Sequence, residues 1–195
     1  MKTKPLTFLL ALTFLFLFSG SVFGQEEVKK EYWENGKLRS ETHYKNGKED
    51  GLSTFWYESG EKRVEHFFKN GKLERRMEYH KNGKKKIEKH YKDGNREGLS
   101  TNWYEDGKKK QETHYLNGNR EGLETNWHEN GNKRQEGHFK NGKLEGLVTF
   151  WDANGKKGRE SHFKNGIENG IRTEWDEDGK LIFEGNFVDG VEETN

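Results

Sequence analysis

The chain has no cysteine and one proline in 195 residues. The missing cysteine excludes disulfide bonding, a thiol nucleophile and any lipid anchor built on a cysteine, so an exported form must stand on its own packing. Apolar residues are scarce as well, at 28%, and they are spread too evenly to build an ordinary globular core. No G-x-S-x-G elbow and no G-x-x-x-x-G-K-[ST] phosphate loop occurs, which removes the common signatures of acyl transfer and nucleotide binding. A formal net charge of only +1 gives no bulk attraction to nucleic acid. With 35% charged residues the composition borders on that of disordered chains. The balance of charge and the regular placement of aromatics argue for order instead.

The first residues read differently from the rest. Lys2 and Lys4 precede an uncharged apolar run from Leu6 to Phe18, followed by Ser19, Gly20, Ser21 and the small Gly24 before Gln25. That order of basic, apolar and small residues is the grammar of a secretory signal. The apolar run is shorter than the ~20 residues a membrane-spanning helix needs. Residues 1–24 are therefore expected to be a cleaved signal peptide and residues 25–195 an exported domain, periplasmic, in the cell envelope or secreted.

That domain repeats. Aromatics at Tyr32, Trp56, Tyr79, Trp103, Trp127, Trp151 and Trp175 each lie four residues before a glycine, at Gly36, Gly60, Gly83, Gly107, Gly131, Gly155 and Gly179. Eleven residues after each of these comes a second glycine, at Gly47, Gly71, Gly94, Gly118, Gly142, Gly166 and Gly190. The period is 24 residues, with one residue missing between Gly71 and Gly83. Most of these glycines follow Asn or Asp, the strongest short hairpin signal.

The half-repeats alternate with period two, as strands do. Leu123, Thr125 and Trp127 share one face, as do Leu52, Thr54 and Trp56, and a partial unit already begins at Val28 and Tyr32. The other half-repeat carries Tyr44, Phe68, Tyr91, Tyr115, Phe139, Phe163 and Phe187 on one face. Its opposite face carries glutamate in every copy, joined by His43, His90, His114, His138 and His162. The expected fold is all-β: an elongated antiparallel meander of about seven hairpins and fourteen strands. In it the aromatic columns, tryptophans included, stack along one buried side. At the shortened third copy, Glu74-Arg75-Arg76-Met77, a bend or bulge is expected.

Stretches such as Tyr44-Lys45-Asn46-Gly47-Lys48-Glu49-Asp50-Gly51 and Phe139-Lys140-Asn141-Gly142-Lys143-Leu144-Glu145-Gly146 resemble the Y-x-N-G-x-x-x-G core of the MORN repeat in its bacterial variant. The resemblance covers nearly everything from Val28 to Gly190. It implies a row of β-hairpins used as a scaffold or binding surface; the missing motifs lead to the separate expectation of no enzyme activity, no catalytic residues and no cofactor. Some related proteins are labelled antitoxins.

The candidate binding surface comes from the same columns. Glu88 and His90, Glu112 and His114, and Glu136 and His138 pair carboxylate with imidazole, the residue types of acid–base and metal chemistry. Histidines in successive copies would lie two strands apart, ~9.6 Å, too far to share one metal ion. A ladder of structural pairs, neutralised by Arg39, Arg63, Lys86, Lys110 and Arg134 two residues earlier, fits the repetition better than catalysis or a metal site. Tyr57 and Tyr104, just after the tryptophans, are the candidates for exposed aromatic contacts. Three functional readings follow: a protein-binding or scaffold module, an inhibitor of a partner protein, and a binder of envelope glycan or lipid.

Overall fold

The computed structural model describes residues 24–194. The expected signal peptide lies outside these residues except for Gly24. Among the described residues there is no helix, and sixteen strands form one antiparallel sheet. Strand order follows chain order from Glu26–Tyr32 at one edge to Val191–Glu192 at the other. The count exceeds fourteen for two reasons. The strand of the fourth copy is interrupted at Glu97 into Asn95–Arg96 and Gly98–Trp103, and Val191–Glu192 adds a short far edge. Each strand packs chiefly on its sequence neighbours, the arrangement of a quasi-one-dimensional repeat protein.

Two kinds of turn alternate. At the second glycines both turn residues are left-handed: Asn46, Asn70, Asp93, Asn117, Asn141, Asn165 and Asp189 have φ of 49–54°, each followed by a positive-φ glycine. These are two-residue hairpins of type I′, whose twist matches that of the flanking strands. At the first glycines only the glycine has positive φ. There the residue after the aromatic donates its amide to the carbonyl four residues on, as Trp33 does to Lys37 O at 2.8 Å, and accepts from Gly36 at 2.9 Å. That is a three-residue loop with a bulge.

A second bulge recurs in the strand after each of the first six type I′ turns. Gly137 faces Val148 while His138 already faces Glu145, so two residues, Gly146 and Leu147, stand unmatched. Gly51, Gly98, Gly122, Gly146 and Gly170 occupy this bulge with φ of 76–116°, a backbone that side chains with a Cβ adopt only under strain. The third copy does carry the expected irregularity, between Phe67 and Phe68. It is the smaller one, however: Phe67 faces Arg75 and Phe68 faces Leu73, leaving a single extra residue. The missing residue has shrunk a bulge that every glycine-bearing copy has in full.

Cross-strand partners share a face, and the registers correct the expected placement of the aromatics. Glu41, Thr54, Glu65, Met77, Glu88, Thr101, Glu112, Thr125, Glu136, Thr149, Glu160, Thr173 and Glu184 pair in unbroken succession. The Leu–Thr–Trp face and the Glu–His face are thus one face, with Leu123 opposite His138 and Thr125 opposite Glu136. The Tyr/Phe column lies on the reverse, where Phe139 faces Gly122 and Tyr115 faces Gly98. The two aromatic columns are on opposite sides.

Nor is one side buried. Among the described residues no second layer covers either face, and the tryptophans are half-buried rather than core. Among the described residues only Met77, Phe139, Val148 and Phe187 are buried apolar side chains. Burial instead follows rows of short side chains screened by long neighbours: Thr54, Thr101, Thr125 and Thr149 on the glutamate face, Ser53, Ser100, Thr113 and Ser161 on the other. The edges differ in kind. The first strand, Glu26–Tyr32, carries five charged residues in seven. The far edge covers only Phe187 and Val188 of the preceding strand, and Leu181, Ile182 and Val191 there are 50–69% exposed.

Candidate functional site

The glutamate row is neutralised by lysine three residues earlier. Lys62 lies 2.6 Å from Glu65, Lys85 2.9 Å from Glu88, Lys109 2.7 Å from Glu112, Lys133 2.6 Å from Glu136 and Lys157 2.6 Å from Glu160. The expected partners two residues earlier do not serve. Arg39 lies over the Trp33 ring at 5.1 Å and Lys110 over Tyr104 at 5.4 Å, while Arg63, Lys86 and Arg134 are exposed. The loop bulge is the cause. It sets Trp56 opposite Lys62 but Phe55 opposite Val64, which turns the lysine onto the glutamate face. The same ammonium groups reach the next tryptophan: Lys85 sits 5.6 Å from the Trp103 ring, Lys109 5.8 Å from Trp127, Lys133 5.7 Å from Trp151 and Lys157 5.5 Å from Trp175. Each of these four lysines therefore clips its own strand's carboxylate to the neighbouring strand's indole, with cation–π attraction of about 0.5–1 kcal/mol at exposed sites.

Threonines complete the row. Thr125 donates to Glu136 at 3.1 Å and Thr149 to Glu160 at 3.2 Å. At Glu65, burial raises the carboxyl's pKa, but bonds from Lys62 and the Tyr79 hydroxyl outweigh it and hold the group below its ordinary range. Glu136 is likewise held low: Lys133 and Thr125 outweigh burial. Tyr79 is pushed up by burial and by its bond to Glu65.

The histidines serve the bulges. Nδ1 of His43 donates to the Leu52 carbonyl at 2.6 Å, and that of His162 to Ile171 at 3.0 Å; His114 makes the same approach to Leu123 at a long 3.5 Å. These carbonyls belong to the bulge residue after the left-handed glycine. His90 approaches Glu88 at 3.5 Å, and His138 is exposed opposite Leu123. The pairs Glu88–His90, Glu112–His114 and Glu136–His138 are thus spread along the sheet, one per copy. Among the described residues no three acidic or histidine side chains gather as metal ligands.

Tyr57 and Tyr104 are half-buried rather than exposed. The Tyr104 hydroxyl donates to the Trp127 carbonyl at 2.6 Å. Equivalent positions in two other copies do the same: His80 Nε2 bonds Trp103 O at 3.1 Å and His128 Nε2 bonds Trp151 O at 2.9 Å. This stitch between copies escaped the sequence reading, although the recurrence of His or Tyr directly after the aromatic was its signal. Around Tyr104 opens a cavity of about 610 Å³ whose walls include His80, Lys86, Ile87, Asn102 and Trp103. Of the expected candidates only Tyr104 lines it.

The MORN repeat variant model matches residues 28–46, 49–70, 61–80, 75–93, 96–117, 120–141, 144–165 and 168–189. The chain belongs to the MORN repeat variant family. Seven of its matches keep the repeat phase; the match at 61–80 overlaps both neighbours where the third copy has lost its residue. MORN repeats constitute a non-catalytic module family. No curated protein matches this MORN-repeat chain.

Proposed function

We propose that this MORN-repeat protein is exported and acts, without enzymatic activity, as a protein-binding or scaffold module in the cell envelope or outside the cell. The observation that carries the reading is the continuous Glu–Thr row with its Lys–Trp clips. It repeats the same chemistry copy after copy and offers an extended surface instead of one convergent centre. The half-exposed tryptophans beside it are the residue type on which protein interfaces draw most heavily. The signal-like first 24 residues support export.

The test is an affinity pull-down of tagged residues 25–195 from the native envelope fraction, with bound protein, lipid and glycan all identified. One stoichiometric protein partner is the expected result, retained when Glu112 and His114 alone are changed to alanine. Recovery of glycan or lipid without protein, or loss of all binding on changing that single pair, would overturn the reading. Mass analysis of the native protein should find its first residue at Gln25.

A further inference from the structure

On the reverse face, one row breaks the pattern of the rest. Thr42, Ser53, His66, Arg76 and Lys89 are successive cross-strand partners. The corresponding row in later copies runs Thr113, Glu124, Gly137, Val148, Ser161, Arg172, Gly185, with Arg172 its one cation, flanked by small residues. Only beside the shortened third copy do a histidine, an arginine and a lysine, His66, Arg76 and Lys89, stand side by side in this row. Directly opposed strand residues have their side chains about 4.5–5.5 Å apart at the base, so long cationic side chains here converge.

A third cation joins them. Arg96 acts on Lys89 electrostatically, stacks on the Tyr115 ring at 3.7 Å and donates to the Ser100 hydroxyl at 2.9 Å. Against Arg76, Lys89 and Arg96 stands one close carboxylate, Glu78, bonded to Arg76 at 2.9 Å. Burial and the two arginines hold Lys89 below the usual lysine range, the mark of a cation short of counter-charge. The donors are not used up internally: Arg76 Nε, Arg96 Nε, His66 Nε2 and Ser53 Oγ are buried without a partner among the described residues. Buried polar atoms are ordinarily satisfied, so a run of exceptions along one row calls for a reason.

We propose that Arg76, Lys89 and Arg96 form an anion site for a phosphate monoester whose organic part lies in the adjoining cavity. The three cations less Glu78 leave a surplus of two charges, and a phosphate monoester carries about −1.5 to −2 near neutral pH. Guanidinium groups match its oxygens in pairs. Ile87, which lines the cavity, precedes Lys89 by two residues on the same strand and so shares its face. A ligand held at Lys89 has the cavity directly alongside. The cations Arg76 and Lys89 stand where this chain departs from its own repeat, on the side opposite the glutamate row, and Trp103 is the residue the cavity shares with the tryptophans invoked for partner binding.

The experiment titrates the mature chain with inorganic phosphate and with glucose 6-phosphate at constant ionic strength near pH 7.5, following backbone amides by NMR. Saturable shifts centred on Lys72–Tyr79 and Lys85–Lys92 are expected. Arg76→Gln and Lys89→Gln should each weaken binding at least tenfold, and Lys143→Gln should not change it. Tighter binding of the sugar phosphate supports the site with its cavity. Equal binding supports the anion site but overturns the cavity's part in it. Without phosphate, Lys89→Gln should raise the melting temperature by relieving repulsion and should abolish the rise that phosphate gives the parent. Failure to saturate, binding indifferent to Lys89→Gln, or a lower melting temperature in that variant would overturn the proposal.

Discussion

Glu65 is the most enclosed carboxylate of its row, 4% exposed, and it joins Lys62 to Tyr79 across neighbouring strands. Glu65→Ala would take its acceptor from the half-buried Tyr79 hydroxyl and should cost about 1 kcal/mol; urea unfolding of variant and parent would measure it. The pH response has a definite sign. Because Glu65 in the folded chain ionises below its ordinary value of 4.5, its contribution is complete above that pH and is lost as pH falls through the folded value. Glu65→Gln should therefore flatten the acid limb: between about pH 5 and 3 its melting temperature should fall less than the parent's. An equally steep fall would mean that the Lys62 and Tyr79 bonds do not favour the ionised carboxylate.

At the level of the strand, the bulge glycines set the shape of each hairpin. A Cβ at Gly122, φ +80°, would meet nothing within 4 Å, whereas at Gly170, φ +116°, it would come within 3.1 Å of His162 Cβ. Gly122→Ala should then cost only the left-handed backbone, about 1–2 kcal/mol, and Gly170→Ala more; chemical denaturation of the two variants checks the order. Hairpins, period and strand identity were legible in the sequence because Asn46-Gly47 and its equivalents impose local chemistry that long-range packing does not override. The pairing of faces was not read from alternation, which fixes neighbours within a strand but not which face of the next strand joins them. The two-residue turn could have supplied it: counting outward from Asn46-Gly47 puts Tyr44 opposite Glu49 and so Glu41 on the side of Leu52 and Thr54. The lysine partners of the glutamates were hidden for a related reason, since a bulge moves Lys62 onto a face that strict alternation denies it. Tyr104 looked free because its acceptor, the Trp127 carbonyl, belongs to backbone 23 residues away.

For the molecule as a whole, neighbour-only packing makes stability close to a sum over copies. Excision of residues 120–143, one full period, should leave a folded and shorter sheet with unchanged strand content per residue by circular dichroism. Its denaturant slope should be smaller in proportion to the surface lost. Collapse of the whole chain on that excision would show instead that the copies are held by cooperation beyond their neighbours. The unlike edges give the array a direction. A strand offered to Glu26–Tyr32 must lie against a dense pattern of charge of both signs, a device that discourages indiscriminate pairing. One offered beyond Leu181–Val188 finds open backbone flanked by Leu181 and Ile182. The sheet is therefore a polymer with one sealed and one receptive end: grafted units should extend it after Val188 and fail to extend it before Glu26.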